Sequence, residues 1–283
     1  MNTKKILIII LAAMAMVSAT AQNSRKVVKQ NRAVSEFTAV NASGGWDVII
    51  RQGNRQAVSI EVNEDLLERA VIEVKNGTLH IYNKKSNRVF SWKNLRDSKN
   101  RVQKAYVTVT DLNSVSASGG VDIVFETSLK TNDFNLKMSG GSDLEKLSLD
   151  CKNFTGNFSG GCDAEIRFLA AQAVTADAGG GSDVNLFDLD TERCRVSASG
   201  GCDVKLTGKT EHFDLSASGG CDVSAADFSA HECTAGFSGA ADGKIRVSEK
   251  LNISVSGASD VICYGNPRDV EKTVNRSGSL TMR

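Results

Sequence analysis

Apolar and polar residues alternate strictly along most of this chain. Between Arg195 and Lys209, Val196, Ala198, Gly200, Cys202, Val204 and Leu206 share one parity, and Ser197, Ser199, Gly201, Asp203 and Lys205 take the other. The following stretch places Leu215, Ala217, Gly219, Cys221 and Val223 inward, with Asp214, Ser216, Ser218 and Asp222 outward. Upstream, Phe134, Leu136, Met138 and Leu144 fill the same inward role. A period of two marks a half-buried strand. The alternation therefore predicts short strands separated by tight turns.

The strands recur at a fixed interval. Ser-Gly-Gly-x-Asp, or a close variant, occurs nine times, ending at Asp47, Asp122, Asp143, Asp163, Asp183, Asp203, Asp222, Asp242 and Asp260. From Asp122 onward the gaps are 21, 20, 20, 20, 19, 20 and 18 residues. Such a period predicts an all-β fold, a β-solenoid (single-stranded β-helix) with coils of about 20 residues. One coil has no partner for its apolar face, so the core arises by stacking. The Gly-Gly pair suits a corner at which one or both residues take φ > 0, with no Cβ in the way. It becomes Gly239-Ala240 and Gly257-Ala258 in the last two copies, the drift expected of terminal repeats.

The interval between Asp47 and Asp122 breaks the pattern. Trp46–Arg51 and Ala57–Val62 read as strands, Asn63 or Glu64 as the cap of a short helical turn through Arg69, and Val71–Lys75 and Leu79–Tyr82 as a hairpin closed by Asn76-Gly77. Lys84 to Lys104 then carries eight Lys or Arg residues against the single acid Asp97, with Phe90 and Trp92 among them. The expected organisation is a leader over 1–21, an N-terminal β region with hairpin and basic loop over 22–112, and repeats with a C-terminal cap over 113–283. Such a cap would block association through the open strand edges of the last coil.

The leader reading rests on Lys4 and Lys5, the apolar run Ile6 to Val17, and Ala19-Thr20-Ala21 as a cleavage site. The apolar run is too short to span a bilayer. An exported, soluble mature chain from Gln22 is the expectation, working in the periplasm, at the cell surface or outside the cell. Without Lys4 and Lys5, 32 basic residues stand against 33 acidic ones, a net charge of −1. Nothing in that balance draws the whole molecule to nucleic acid or anionic lipid.

Seven cysteines follow the leader. Cys162, Cys202 and Cys221 occupy the x of the repeat, where other copies have Trp46, Val121, Ser142, Ser182, Ala241 or Ser259, which suggests a small, half-buried slot. Cys202 and Cys221 fall in neighbouring coils, about 4.8 Å apart at Cα, within reach of a disulfide. The odd count favours packed thiols.

Stacked in register, the aspartates form a column of carboxylates at about 4.8 Å, where unit charges repel by roughly 0.9 kcal/mol even at the dielectric of water. Two readings relieve this. Asp122, Asp143, Asp163, Asp183, Asp203 and Asp222 could bind a line of Ca²⁺ or other hard cations. Alternatively, each Asp accepts hydrogen bonds from turn amides or from the Ser four residues before it, present in every copy except that of Asp183, which has Gly179. Phe90 and Trp92 in the basic segment could contact an acidic glycan or protein, or belong to a solvated connecting loop. His80, His212 and His231 stand in no nucleophile or zinc spacing, although His212 and His231 are 19 residues apart and could stack.

The repeated Ser-Gly-Gly-x-Asp, the strand Trp46–Arg51 with Gln52-Gly53, and Glu73-Val74-Lys75-Asn76-Gly77-Thr78-Leu79-His80-Ile81 together resemble the head GIN domain family of auto-transporter adhesins. That is a domain of unknown function common in exported proteins of Bacteroidetes. The resemblance spans roughly Phe37 to Arg283; it implies a β-solenoid, an envelope or extracellular setting, and no catalytic residue. Together these features predict a non-enzymatic exported adhesin or envelope scaffold, with no cofactor unless Ca²⁺ is bound. The alternatives are a carbohydrate-active β-helix enzyme, which would need one coil with clustered acids and bases, and a structural protein that self-associates through its ends.

Overall fold

The computed structural model describes residues 26–84, 101–275 and 277–283. Among these residues the secondary structure is strand throughout, apart from one 3₁₀ turn at Glu64–Leu66. The strands join a single ladder that is parallel from coil to coil. Each repeat lies directly on the next: Asp133–Ser139 pairs with Asn153–Ser159, which pairs with Ala173–Gly180, which pairs with the second half of Asp183–Gly200. The β-solenoid predicted from the period is therefore the fold. In later coils the short strands merge into continuous ones such as Asp203–Gly219 and Asp222–Gly239. Bends inside them occur at register shifts, marked by Lys146 and Asp188 at positive φ.

The inward parity builds one continuous core. Phe134, Leu136, Met138, Val196, Leu206 and Leu215 are all buried. Aromatic rings meet inside it, Phe134 stacking on its register partner Phe154 at 6.3 Å, while Phe154 lies edge-on to Phe168 at 5.4 Å and Phe213 to Phe228 at 5.1 Å. Gly200 and Gly219 depart from the expected inward set, because the chain turns there and leaves them exposed.

The corner itself distinguishes the two glycines. The first has positive φ in all nine copies, whereas the second does so only at Gly45 and Gly120. A Cβ on Gly200 would meet the Gly180 carbonyl oxygen at 2.9 Å, while one on Gly201 would meet nothing closer than 3.9 Å. Ala240 and Ala258 therefore stand where a Cβ fits. The second position contributes its amide, as in Gly201 N–H to the Gly180 carbonyl and Ala240 N–H to that of Gly219, both 2.7 Å.

The x slot is fully buried, not half-buried. Trp46, Val121, Ser142, Cys162, Ser182, Cys202, Cys221, Ala241 and Ser259 are each 0 % exposed. Small hydroxyls and thiols suit it because the carbonyl three residues earlier accepts their proton. Ser142 Oγ donates to Ser139 O at 3.0 Å, Ser182 Oγ to Gly179 O at 2.7 Å, and Cys221 Sγ to Ser218 O at 3.1 Å. All seven cysteines are buried thiols. Sγ of Cys202 and Cys221 are 3.1 Å apart, in contact and not bonded. Burial holds the Cys151 and Cys202 thiols up at about 12 and that of Cys263 at about 11.

The coil that precedes Ala39–Ser43 in space comes later in sequence. Thr78–Asn83 pairs in parallel with Ala39–Ser43, and Gln103–Val109 with Asp47–Gln52. The other edges of Ala39–Ser43 and Asp47–Gln52 carry Ser114–Ser118 and Asp122–Phe125, so the ladder runs unbroken past residue 112. The Asn76-Gly77 hairpin forms as expected, with both residues at positive φ. Asn63 does not cap the 3₁₀ turn; its Oδ1 accepts the Val102 amide at 2.8 Å. Outside the hairpin, Ala57–Asn63 runs antiparallel to Gln103–Val109, and Val27–Arg32 antiparallel to Ala57–Asn63. At the other end, Asp269–Val274 and Ser279–Met282 continue the parallel ladder as one more coil instead of leaving it.

Two expectations follow. Gly200→Ala should lower the urea midpoint by the equivalent of about 1–2 kcal/mol or more, while Gly201→Ala should change it by less than about 0.5 kcal/mol; equal effects would sink the corner argument. The native chain should resist iodoacetamide at pH 8, and all seven thiols should react after urea unfolding. Two thiols that react only after reduction would mean that Cys202 and Cys221 are oxidised. Because the folded state holds these protons more tightly, stability should also decline as pH rises from 9.0 toward about 12.

Candidate functional site

The Asp column is set by the corner that precedes it. Once the x residue turns inward, strand alternation sends the next side chain outward. The backbone amides of Asp122, Asp143, Asp183, Asp203, Asp222 and Asp242 are committed to the ladder, donating to the x residue of an adjoining coil: Asp122 to Trp46 O at 3.0 Å, Asp183 to Cys162 O at 2.9 Å and Asp242 to Cys221 O at 2.9 Å. Register then places Asp47 on Asp122, Asp122 on Asp143, Asp143 on Asp163, Asp163 on Asp183, Asp183 on Asp203, Asp203 on Asp222, and Asp222 on Asp242. The structure brings together all six candidate metal ligands as a single exposed file.

Among the described residues, the carboxylates of this file have partners only toward its two ends. Asp47 has Lys104 Nζ at 3.6 Å, and Asp242 Oδ1 accepts the Asp260 amide at 3.1 Å. The expected Ser-to-Asp hydrogen bond is absent among the described residues. Ser159 and Ser256 instead donate to the carbonyls of Met138 and Phe237 in the preceding coil. Burial, then the charges of Asp143 and Asp47, raises the Asp122 carboxyl above its ordinary value. Asp183 is raised likewise by burial and by Asp163 and Asp203.

The other outward rows behave differently. Arg195 faces Asp214 at 3.2 Å, Lys209 reaches Asp190 at 3.2 Å, and Arg167 pairs with Asp188. His212 does not stack on His231; its register partner is Glu232, with Nδ1 3.2 Å from the carboxylate. At these positions unlike charges meet between coils, whereas along the corner like charges meet.

Toward the C-terminal end the file borders a cleft of about 350 Å³ lined by Asp222, Asp242, Asp260, Ser224 and Lys244. Among the described residues no three His, Cys, Asp or Glu side chains gather closely enough to enclose a metal ion. The arrangement is a linear array of monodentate groups, suited to bridging or surface contact. Phe90 and Trp92 lie outside the described residues. Sequence reading missed the Ser/Cys donor role in the x slot, whose only signal was the exchange of Ser for Cys at one position.

With this geometry in hand, the comparisons with known proteins are coherent. The family model described as "Putative auto-transporter adhesin, head GIN domain" matches residues 36–206 and 157–267. A "putative lipid binding protein" from Parabacteroides distasonis has a similar structure, with TM-score 0.63, 18% identity, and 91% of this chain and 97% of that one covered. A "putative adhesin" from the same organism gives TM-score 0.65 at 15% identity, covering 91% of this chain and 97% of that one. One from Parabacteroides merdae gives 0.63 at 14%, covering 91% and 96%. At these identities the structures attest the fold alone. No curated protein matches the chain. A family model that spans both the interrupted first coils and the regular repeats leaves one conclusion: the chain belongs to the auto-transporter adhesin head GIN domain family.

Proposed function

We propose that the chain is an exported, non-catalytic adhesion or envelope-scaffold module, and that its exposed Ser/Asp/Gly corner is a contact surface. The observation that carries this reading is the uncompensated Asp file. Several other outward positions pair opposite charges between coils, whereas this file holds six or more carboxylates in line, with Asp122 and Asp183 raised above their ordinary values. A like-charge array that costs stability and is kept in each repeat suits recognition of a cationic partner, or of a partner bridged by hard cations. Membership of a family described as adhesin heads supports the reading. Parallel pairing on both edges of each inner coil gives such a surface rigidity, which suits a protein working outside the cell.

The test is binding of the chain from Gln22 to a glycan and matrix-protein array, with Ca²⁺ and with chelator. An Asp143→Asn/Asp163→Asn/Asp183→Asn/Asp203→Asn variant should lose about tenfold or more in affinity for whatever the chain selects. Loss of binding on chelation would make cations part of the contact. Turnover of a polysaccharide, abolished by changing one acid, would refute the non-catalytic reading.

Stability offers a second check. Since the Asp183 carboxyl is raised, its contribution to folding is complete below 3.8 and fades as pH climbs through the folded value. Asp183→Asn should therefore be at least as stable as the parent at pH 7, and any advantage should vanish below pH 3.8. A clear loss of stability at pH 7 would show that the carboxylate has a structural partner.

A further inference from the structure

The antiparallel strands added at the N-terminal end create a second feature on the same side of the sheet. Across three strand pairings, Asn31 lies opposite Ser59, Ser59 opposite Tyr106, and Tyr106 opposite Ile49, with Thr108 opposite Arg51 in the next row. These outward side chains floor an open pocket of about 780 Å³. Its rim comes from Ala33 and Val34 after the first strand and from Arg55 and Gln56 in the link before Ala57. Gln56 fixes that rim by accepting the Phe37 amide at 3.2 Å and donating to the Phe37 carbonyl.

The pocket is cationic in a chain that is otherwise close to neutral. Lys29, Arg32, Arg51 and Arg55 line it, against the single carboxylate of Glu126. None of the four forms an ion pair among the described residues. Arg51 Nε is anchored by Thr108 Oγ1 at 2.9 Å, which aims the rest of the guanidinium without neutralising it. Arg32 Nε is buried with no hydrogen-bond partner, an orphaned charged donor beside the pocket. Lys29 Nζ sits 4.9 Å from the centre of the Tyr106 ring, while Tyr106 Oη donates to Glu61 at 3.1 Å. Tyr106 thus joins the floor with its hydroxyl anchored.

We infer that this pocket binds an anionic oligosaccharide, its carboxylate or sulfate taken by Arg51, Arg55 and Arg32 and its hydroxyls by Asn31, Gln56 and Ser59. Guanidinium groups match carboxylate and sulfate oxygens in pairs. The volume lies within the range of small-ligand sites. Little apolar surface is open to an acyl chain: of the apolar lining, Ala33 and Ala57 are exposed but short, Val34 and Ile49 are half-buried, and Val58 and Val107 are buried in the core.

This inference rests on reading the chain as a binding protein, but it concerns a different surface from the Asp file. The test is calorimetric titration of the chain from Gln22 with tetragalacturonate, a heparin-derived tetrasaccharide, maltotetraose, and phosphatidylglycerol vesicles. At least one acidic tetrasaccharide should bind, more weakly at high salt, and maltotetraose should be at least about tenfold weaker. Arg51→Gln/Arg55→Gln should cost about tenfold or more, and Lys205→Gln on the solenoid should have no effect. Both arginines are exposed, so the double variant should melt with the parent; Lys29→Gln supplies an independent reading if it does not. Binding of the neutral sugar with equal affinity, equal loss in Lys205→Gln, binding to vesicles alone, or no binding at all would overturn the inference. Array binding that survives the double arginine change would leave the adhesion reading intact and remove only the pocket.

Discussion

Parallel, in-register pairing between consecutive coils governs this molecule. Each residue lies about 4.8 Å from its equivalent in the next coil, so every position must tolerate its own kind above and below. Apolar side chains gain from this, and the Phe, Val and Leu columns form one core from end to end. The first glycine of the corner takes positive φ in all nine copies, and from Gly180 onward the carbonyl of the preceding corner also leaves no room for a Cβ, which is why that glycine persists. The ion-pair ladders solve the same problem for charges by alternating sign from coil to coil. The Asp file stacks like charges instead, and that is what makes it a candidate surface.

A ladder of this kind needs its ends closed. At the N-terminal end the glycine corner of the first motif has no further corner to receive its carbonyls. Gln103 Nε2 takes Gly44 O and Gly45 O at 3.1 Å each, and Asn83 Nδ2 takes Gly44 O at 3.3 Å. Two amide side chains thus take carbonyls of the kind that turn amides take in later coils. The antiparallel strands beyond it shield the edge, and they carry the outward residues that make the cationic pocket. The C-terminal coil is barer, with Val270, Val274 and Met282 each about 40 % exposed along an open edge. The two ends of the solenoid are chemically different, and so are the acidic file and the basic pocket.

The regular part of the fold was legible because each coil repeats the same local rule. Alternation named the inward residues, and the interval between aspartates named the coil. The rule failed where a neighbour in space is not a neighbour in the repeat. The coil made by Thr78–Asn83 and Gln103–Val109 has no Ser-Gly-Gly-x-Asp in its sequence, and nothing in that sequence places it beneath Ala39–Ser43. The Ser-to-Asp bond failed for a related reason: the hydroxyl finds the carbonyl of the preceding coil, which only stacking brings near.

By itself, the sequence determined the solenoid, its period, the burial of one parity and the existence of an acidic column, since these depend on patterns within a single coil. Tertiary structure decided which glycine is obligatory, how deep the x slot lies, that Cys202 and Cys221 touch as thiols, and where the basic side chains converge. Those outcomes depend on distances between residues far apart in the chain. Lys29, Arg51, Arg55 and Tyr106 become one site only because an antiparallel strand pair closes the parallel ladder, a contact for which the repeat carries no signal.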